Sequence, residues 1–287
     1  MKKYKFRYRK YMLITKYVIN ELLRVPSGGT TLISLDLGRS FIKARVTDGV
    51  LVIGNLRFGL DYLKEEVTDE TGIYILSQEG VRKIAFYADG KYYKLRLVKP
   101  YVAPTLEING IHMHRIKDIT PWEDARLKVK AAKVKRGAKV LDIGTGLGYT
   151  AINSLNYGAS KVVTIEVDPN VLKMAELNPW SRELEDSRIE IVLGDAYEVI
   201  KEFDNEEFDR IIHDPPRIHM AGHLYSLEFY KELYRVLKKG GIMYHYTGAP
   251  GIVHGHDVTH GIIRRLSAIG FVTEKNEKLL GVICRKY

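Results

Sequence analysis

The chain has almost no cysteine, almost no glutamine and no long apolar run, and each shortage excludes a class of protein. Its one cysteine, Cys284, has no second thiol to pair with, so no internal disulfide holds the fold and a reducing compartment suits it. No stretch approaches the roughly 20 consecutive apolar residues of a membrane-spanning helix, so no membrane partner is expected. The basic start Met1-Lys2-Lys3 is followed by Lys16, Asn20, Glu21 and Arg24, which interrupt any secretion signal, and the expected location is cytoplasmic. Gln78 is the only glutamine beside 45 Lys plus Arg and 35 Asp plus Glu, a balance that leans toward a thermophilic source.

What is present is enough apolar material for a real core: 45% of 287 residues, more chain than one compact nucleoside-binding unit needs. The net charge of +10 is unevenly spread. Residues 1–100 hold 19 Lys plus Arg against 10 Asp plus Glu, a surplus of 9, so the amino-terminal part is the basic part. Tyr4, Phe6, Tyr8, Tyr11 and Tyr92-Tyr93 interleave with those cations, a mixture suited to phosphate contact and base stacking, although charge runs are most often a solvated face. Apolar residues at helical spacing (Leu13, Tyr17, Val18, Leu22) predict a helix over 11–25 that ends at Pro26-Ser27-Gly28-Gly29. From Thr30 to Leu106 short β-branched runs and the turn signals Asp48-Gly49 and Asp89-Gly90 predict a mostly β domain. Three parts are therefore expected: a basic segment and helix over 1–27, a β-rich accessory, substrate-binding domain over 28–110, and a nucleoside-binding domain over 111–287.

The chemistry concentrates in that last part. Val140-Leu141-Asp142-Ile143-Gly144-Thr145-Gly146-Leu147-Gly148-Tyr149-Thr150 reads as a buried strand entering a glycine turn that opens a helix, where backbone approaches a ligand closely. Lys161 to Asp168 is a second strand ending in acid, with Glu166 placed to accept ribose hydroxyls. Ile189 to Leu193 is a third strand, followed by Gly194-Asp195-Ala196, and Phe208 to His213 a fourth, followed by Asp214-Pro215-Pro216-Arg217. A dinucleotide enzyme wants G-x-G-x-x-G so that a pyrophosphate can rest on the helix N-terminus, and the G-x-G-x-G spacing here is against it.

On these residues the last 165 or so positions resemble the class I S-adenosylmethionine-dependent methyltransferases. That resemblance implies an α/β fold: a Rossmann-like, seven-stranded methyltransferase domain preceded by a smaller, mostly β, basic domain. It implies S-adenosyl-L-methionine as cofactor, held by Asp142, Gly144, Thr145, Gly146 and Gly148 about the methionine part, Glu166 and Val167 at the ribose, and Asp195 and Ala196 at the adenine. Thr120, which can cap a helix starting at Pro121, joins the cofactor set because in such enzymes the segment before the first strand closes over the cofactor.

Two prolines after a strand cannot extend the ladder and fix a rigid turn at the sheet edge. Asp214-Pro215-Pro216-Arg217 thus resembles the Asp-Pro-Pro-aromatic turn of enzymes that methylate planar amines, and more narrowly an archaeal family of predicted methyltransferases with this turn. The resemblance implies catalysis by Asp214, Pro215, Pro216 and Arg217 on an exocyclic base amine in RNA, with cytidine N4 of ribosomal RNA favoured over adenine N6 and RNA as partner. Asp214 and the Pro215 carbonyl would accept the amine's two N–H bonds. Arg217 departs from the aromatic of the pattern, and its plane can stack on a base or hold a phosphate. Trp122, His219, His223, Tyr246 and His254 complete the expected substrate contacts, with Tyr225 a further stacking candidate.

No Cys pair or H-E-x-x-H accompanies the late histidines, so no metal is expected. Two other readings stay open. One is a polyamine aminopropyltransferase built on the same sheet, which would want acids around its pocket for a cationic substrate. The other is an RNA-binding module without catalysis. The sequence leaves the oligomeric state open.

Overall fold

A computed structural model describes residues 1–216, 218, 220–248, 252–253 and 256–287, with the backbone alone for 252, 253, 256 and 257. The chain divides into two compact units: Arg7–Trp122 with Lys173–Arg182, and Met1–Phe6 with Glu123–Leu172 and Glu183–Tyr287.

The first unit is built from antiparallel sheets, as its alternating runs and tight turns predict. One sheet joins Thr30–Ile33, Ile42–Thr47, Val50–Ile53 and Leu56–Gly59, and another joins Ala85–Ala88, Lys91–Arg96, Thr105–Ile108 and Ile111–His112. Asp48-Gly49 and Asp89-Gly90 do close two-residue hairpins, both residues of each turn adopting positive φ so that its twist matches the strands. Asn109-Gly110 makes a third. The helix expected over 11–25 is shorter, Lys16–Leu22, because Met12–Ile14 pairs with Tyr74–Leu76 as a strand and the Thr15 hydroxyl caps the helix by accepting from the Val18 N–H. A second helix, Leu60–Glu66, is not legible as an interruption of the β pattern. Leu22, Ile33, Val46, Leu51, Leu63 and Leu76 meet in one core.

The second unit is a twisted, mostly parallel sheet whose strands are numbered in chain order: β1 (Lys3–Tyr4), β2 (Lys139–Ile143), β3 (Lys161–Glu166), β4 (Ile189–Leu193), β5 (Phe208–His213), β6 (Leu237–Tyr246), β7 (Val272–Asn276) and β8 (Gly281–Arg285). Their spatial order is β1-β4-β3-β2-β5-β6-β8-β7. Strands β2 to β6 run parallel, and β8, β7 and β1 are antiparallel to their neighbours. Near-continuous burial along β2, β3 and β5 is the mark of strands covered on both faces. Helices α1 (Pro121–Ala131), α2 (Tyr149–Asn156), α3 (Pro169–Glu176), α4 (Ala196–Val199), α5 (Leu227–Val236) and α6 (Val258–Ile269) alternate with the strands. Phe208, Phe229, Tyr230, Leu233, Met243, Leu266 and Cys284 are among the buried core residues.

Two expectations are corrected here. The sheet has eight strands rather than seven, because Lys3 and Tyr4 add an antiparallel edge beside Val192 and Ile191. For the same reason the expected basic segment 1–27 is not one piece: residues 1–6 belong to the large sheet and Arg7 onward to the β unit. Strand β6 starts at Leu237 and contains Gly240-Gly241, and its register against β5 shifts between Phe208 and Arg210. Among the described residues no helix is long and apolar enough to cross a membrane.

Candidate active site

The strand order turns around at β2: the chain steps from β2 outward through β3 to β4, then returns to place β5 on the other side of β2. Two crossovers therefore diverge at the carboxyl ends of β2 and β5 and leave a crevice there, the usual ligand position in an open α/β sheet. Ile143 of β2 stands level with Ile165 of β3 and His213 of β5, so the residues that follow each strand emerge at one edge.

The glycine turn is shaped by what it touches. Gly144, Gly146 and Gly148 all have positive φ, at 91°, 53° and 79°. A Cβ on Gly144 would lie 2.7 Å from the carbonyl oxygen of Asp214, whereas one on Gly146 would meet nothing within 4 Å. The turn after β2 is thus pressed against the turn after β5 at its first glycine and open at its second. Gly148 begins α2 in the left-handed region with the Leu184 side chain against it.

Glu166 closes over this turn from β3. It is buried, and its carboxylate accepts the N–H of Gly146, Val167 and Asp168 at 3.0 Å each. Burial still outweighs those bonds and raises its pKa. Val167, next in line, is 63% exposed and offers an apolar surface. Thr145 does not face outward: its hydroxyl lies 2.7 Å from that of Thr164, which donates to Asp142 at 2.7 Å. Asp195 caps α4 by accepting from the Tyr197 N–H at 2.9 Å, with Ala196 buried behind it, and its other contact is the His223 ring nitrogen at 3.3 Å.

Asp142 itself is wholly buried beneath the turn, so it supports the turn from below. Burial, only partly offset by the hydroxyls of Thr164 and Thr150, pushes its carboxyl up to about 7. The unfolded chain titrates this group near the ordinary aspartate value of about 3.9, so between that pH and 7 the folded state holds the extra proton. Its stabilising contribution is complete in acid and is lost as pH rises through 7, at about 1.4 kcal/mol per pH decade crossed. Wild-type protein is expected to melt lower at pH 8 than at pH 5 by a few kcal/mol of stability, and Asp142→Asn to flatten that difference. An unchanged slope in the variant, read by calorimetry across the two pH values, would remove Asp142 as the cause.

Beyond β5, the Asp214 N–H donates to the Ile143 carbonyl at 3.1 Å, tying the two turns together again. Its side chain, 23% exposed, accepts from the Lys128 ammonium at 2.7 Å. Lys128, on α1, is buried, and its ammonium also lies 2.9 Å from Asp124 and 4.5 Å above the Tyr246 ring centre. Burial works against the charge, but Asp214 and Asp124 outweigh it and hold the ammonium above its ordinary pKa. The Pro216 carbonyl accepts from the buried Tyr225 hydroxyl at 2.9 Å, which fixes the Pro215-Pro216 turn from inside. Beneath it, the His213 and His245 rings lie with centroids 4.2 Å apart and planes tilted by 32°, both fully buried and both held neutral by desolvation.

The structure therefore brings together Gly144, Gly146, Gly148, Glu166, Asp195, His223, Asp214 and Tyr246, with Thr145 and Asp142 beneath the turn. Thr120 and Trp122 group instead with the β unit, where Trp122 packs on Trp180 at 5.2 Å. Arg217, His219 and His254 lie outside the described residues. Among the described residues no group of three or more His, Cys, Asp or Glu side chains is placed to hold a metal ion. Sequence reasoning missed Lys128 and Asp124. Their i,i+4 spacing was visible, but in a helix that also carries Arg126 and Lys130 it reads as a solvated pair.

Residues 127–276 match the spermine/spermidine synthase domain. An uncharacterized protein of Methanocaldococcus jannaschii is 48% identical over 95% of both chains. Polyamine aminopropyltransferase 2 of Aquifex aeolicus is 26% identical over 76% of this chain and 43% of its own, and the polyamine aminopropyltransferase of Thermotoga petrophila 34% over 50% of each. The chain thus spans about half the length of these two aminopropyltransferases. A spermidine synthase crystallised with the transition-state analogue AdoDATO superposes with a TM-score of 0.57 at 25% identity, covering 70% of this chain and 71% of that one. These likenesses overturn the expectation of RNA amino-methylation, and with it cytidine N4, adenine N6 and ribosomal RNA as targets. The physical reason is that a glycine turn, a ribose acid and an acid after the fourth strand describe the edge of the sheet and not the group transferred there. The chain belongs to the spermine/spermidine synthase domain family.

Proposed function

We propose that the large unit transfers an aminopropyl group from decarboxylated S-adenosylmethionine to an amine. The observation that carries this reading is the contact between the two turns: the Asp214 carbonyl oxygen lies 2.7 Å from where a Cβ of Gly144 would be, so a donor on the glycine turn and an acceptor on the Asp214 turn are neighbours. The likeness to aminopropyltransferases supplies the group transferred.

In this reading Glu166, whose Oε2 takes one N–H from Gly146 and keeps further acceptor capacity, holds the ribose hydroxyls. Asp195 and Ala196 meet the adenine, and Gly146 leaves the room the thioether end requires. The acceptor nitrogen attacks the propyl carbon bonded to the sulfonium. The carbon–sulfur bond breaks with its electron pair going to sulfur, which leaves neutral 5′-methylthioadenosine, and the new ammonium releases its proton to water. Asp214 orients the acceptor through an N–H bond to its carboxylate, so that positioning supplies most of the rate.

The test is direct. Purified protein with decarboxylated S-adenosylmethionine and a panel of mono-, di- and triamines is expected to release 5′-methylthioadenosine, seen by chromatography, together with the aminopropylated amine by mass spectrometry. Tight binding of the donor with no thioether released by any amine would sink the assignment.

A further inference from the structure

The Asp214 turn already contains an ammonium. Lys128 Nζ lies 2.7 Å from Asp214 and 2.9 Å from Asp124, and it is buried. A diamine that reacts through one nitrogen keeps the other protonated, and that second ammonium must find a carboxylate near the turn. Among the described residues, Lys128 holds both Asp214 and Asp124, and its fixed charge repels a second cation. The same charge favours the neutral, nucleophilic form of an amine bound nearby. The Tyr246 ring, under the ammonium at 4.5 Å, adds a flat wall rather than another acid.

We propose that Lys128 is an internal counter-ion standing where a substrate ammonium would otherwise pair with Asp214, and that the acceptor is an amine bringing no second positive charge to this turn. This rests on the aminopropyl-transfer reading, and it makes Lys128 the residue that sets acceptor class. It distinguishes monoamine acceptors from di- and triamines.

The experiment compares n-butylamine with 1,4-diaminobutane on wild type, Lys128→Met and Lys128→Met/Asp124→Asn, the double variant removing the buried Asp124 charge that the single one deprives of its ammonium. Wild type is expected to favour butylamine in kcat/KM by about tenfold or more, and the double variant to shift the ratio toward the diamine by at least about tenfold. Direct binding of 1,4-diaminobutane, measured by calorimetry with and without 5′-methylthioadenosine, reads the same point without turnover. About tenfold tighter diamine binding by the double variant is expected whether or not any transfer is detected. Wild type that binds or uses the diamine as well as the double variant does overturns the role of Lys128. Loss of methylthioadenosine release with every amine, beside the expected binding difference, overturns the transfer reading alone.

Discussion

Asp214→Ala is expected to lower kcat/KM for aminopropyl transfer by about 10³-fold while donor affinity stays within a few-fold, because positioning and hydrogen bonding of a nucleophile of this kind is worth on the order of 10² to 10⁴. The carboxylate is the group on the turn that can both accept an N–H from the acceptor and remain fixed while doing so, since Lys128 holds its other side at 2.7 Å. The proposed partners of the donor, Glu166 and the glycine turn, are bound to each other at Gly146 and do not depend on the Asp214 side chain. The substitution leaves the Lys128–Asp124 pair at 2.9 Å intact, so no buried charge is stranded. Initial rates of methylthioadenosine release and calorimetric titration of the donor separate the two effects. Activity within about tenfold of wild type would reduce Asp214 to a partner of Lys128 with no part in the reaction.

The second large effect falls on the other turn. Gly144→Ala is expected to cost about 3 kcal/mol or more of stability, because it adds a left-handed backbone penalty of about 1–2 kcal/mol to a collision with main chain. The new Cβ would sit 2.7 Å from the Asp214 carbonyl oxygen, and backbone there is pinned by the Asp214 N–H bond to Ile143. Gly146→Ala is the contrast. Its φ of 53° suits the left-handed well and its Cβ meets open space, so the variant is expected to fold with a loss near 1 kcal/mol yet bind the donor much more weakly. Melting curves alone distinguish Gly144→Ala, and donor titration distinguishes Gly146→Ala. Equal melting temperatures for the two alanine variants would mean that the two turns part easily and that their contact is not structural.

The elements that local chemistry dictates were readable. Strands β2 to β5 are runs of apolar residues ended by glycine or acid, and Asp48-Gly49 or Asp89-Gly90 has few other uses than a tight hairpin. The glycine turn, Glu166, Asp195 and Asp214 follow from their places after those strands. What was not readable depends on distant partners. Thr15 ends a strand and starts a helix because Met12–Ile14 has Tyr74–Leu76 to pair with, and nothing within 11–25 announces a partner 60 residues away. Burial of Lys128 rather than Lys130 follows from which face of α1 meets Asp214, a fact of the folded sheet and not of the helix's own sequence. The proposed aminopropyl group is further still from local reading, since Asp-Pro-Pro specifies a rigid turn and leaves a donor's alkyl chain unspecified.

The two-residue strand β1 has a consequence for how the chain is made. Lys3 and Tyr4 pair with Val192 and Ile191, and the Leu193 N–H donates to the Lys2 carbonyl. Lys3 and Tyr4 therefore wait until nearly two hundred more residues have been translated before their own ladder exists. Until that pairing forms, the rim of β4 has no cover. Synthesis order and assembly order are thus reversed at this edge: β1 precedes β2 and β3 in the chain, yet those two can pair with each other before β1 has a partner.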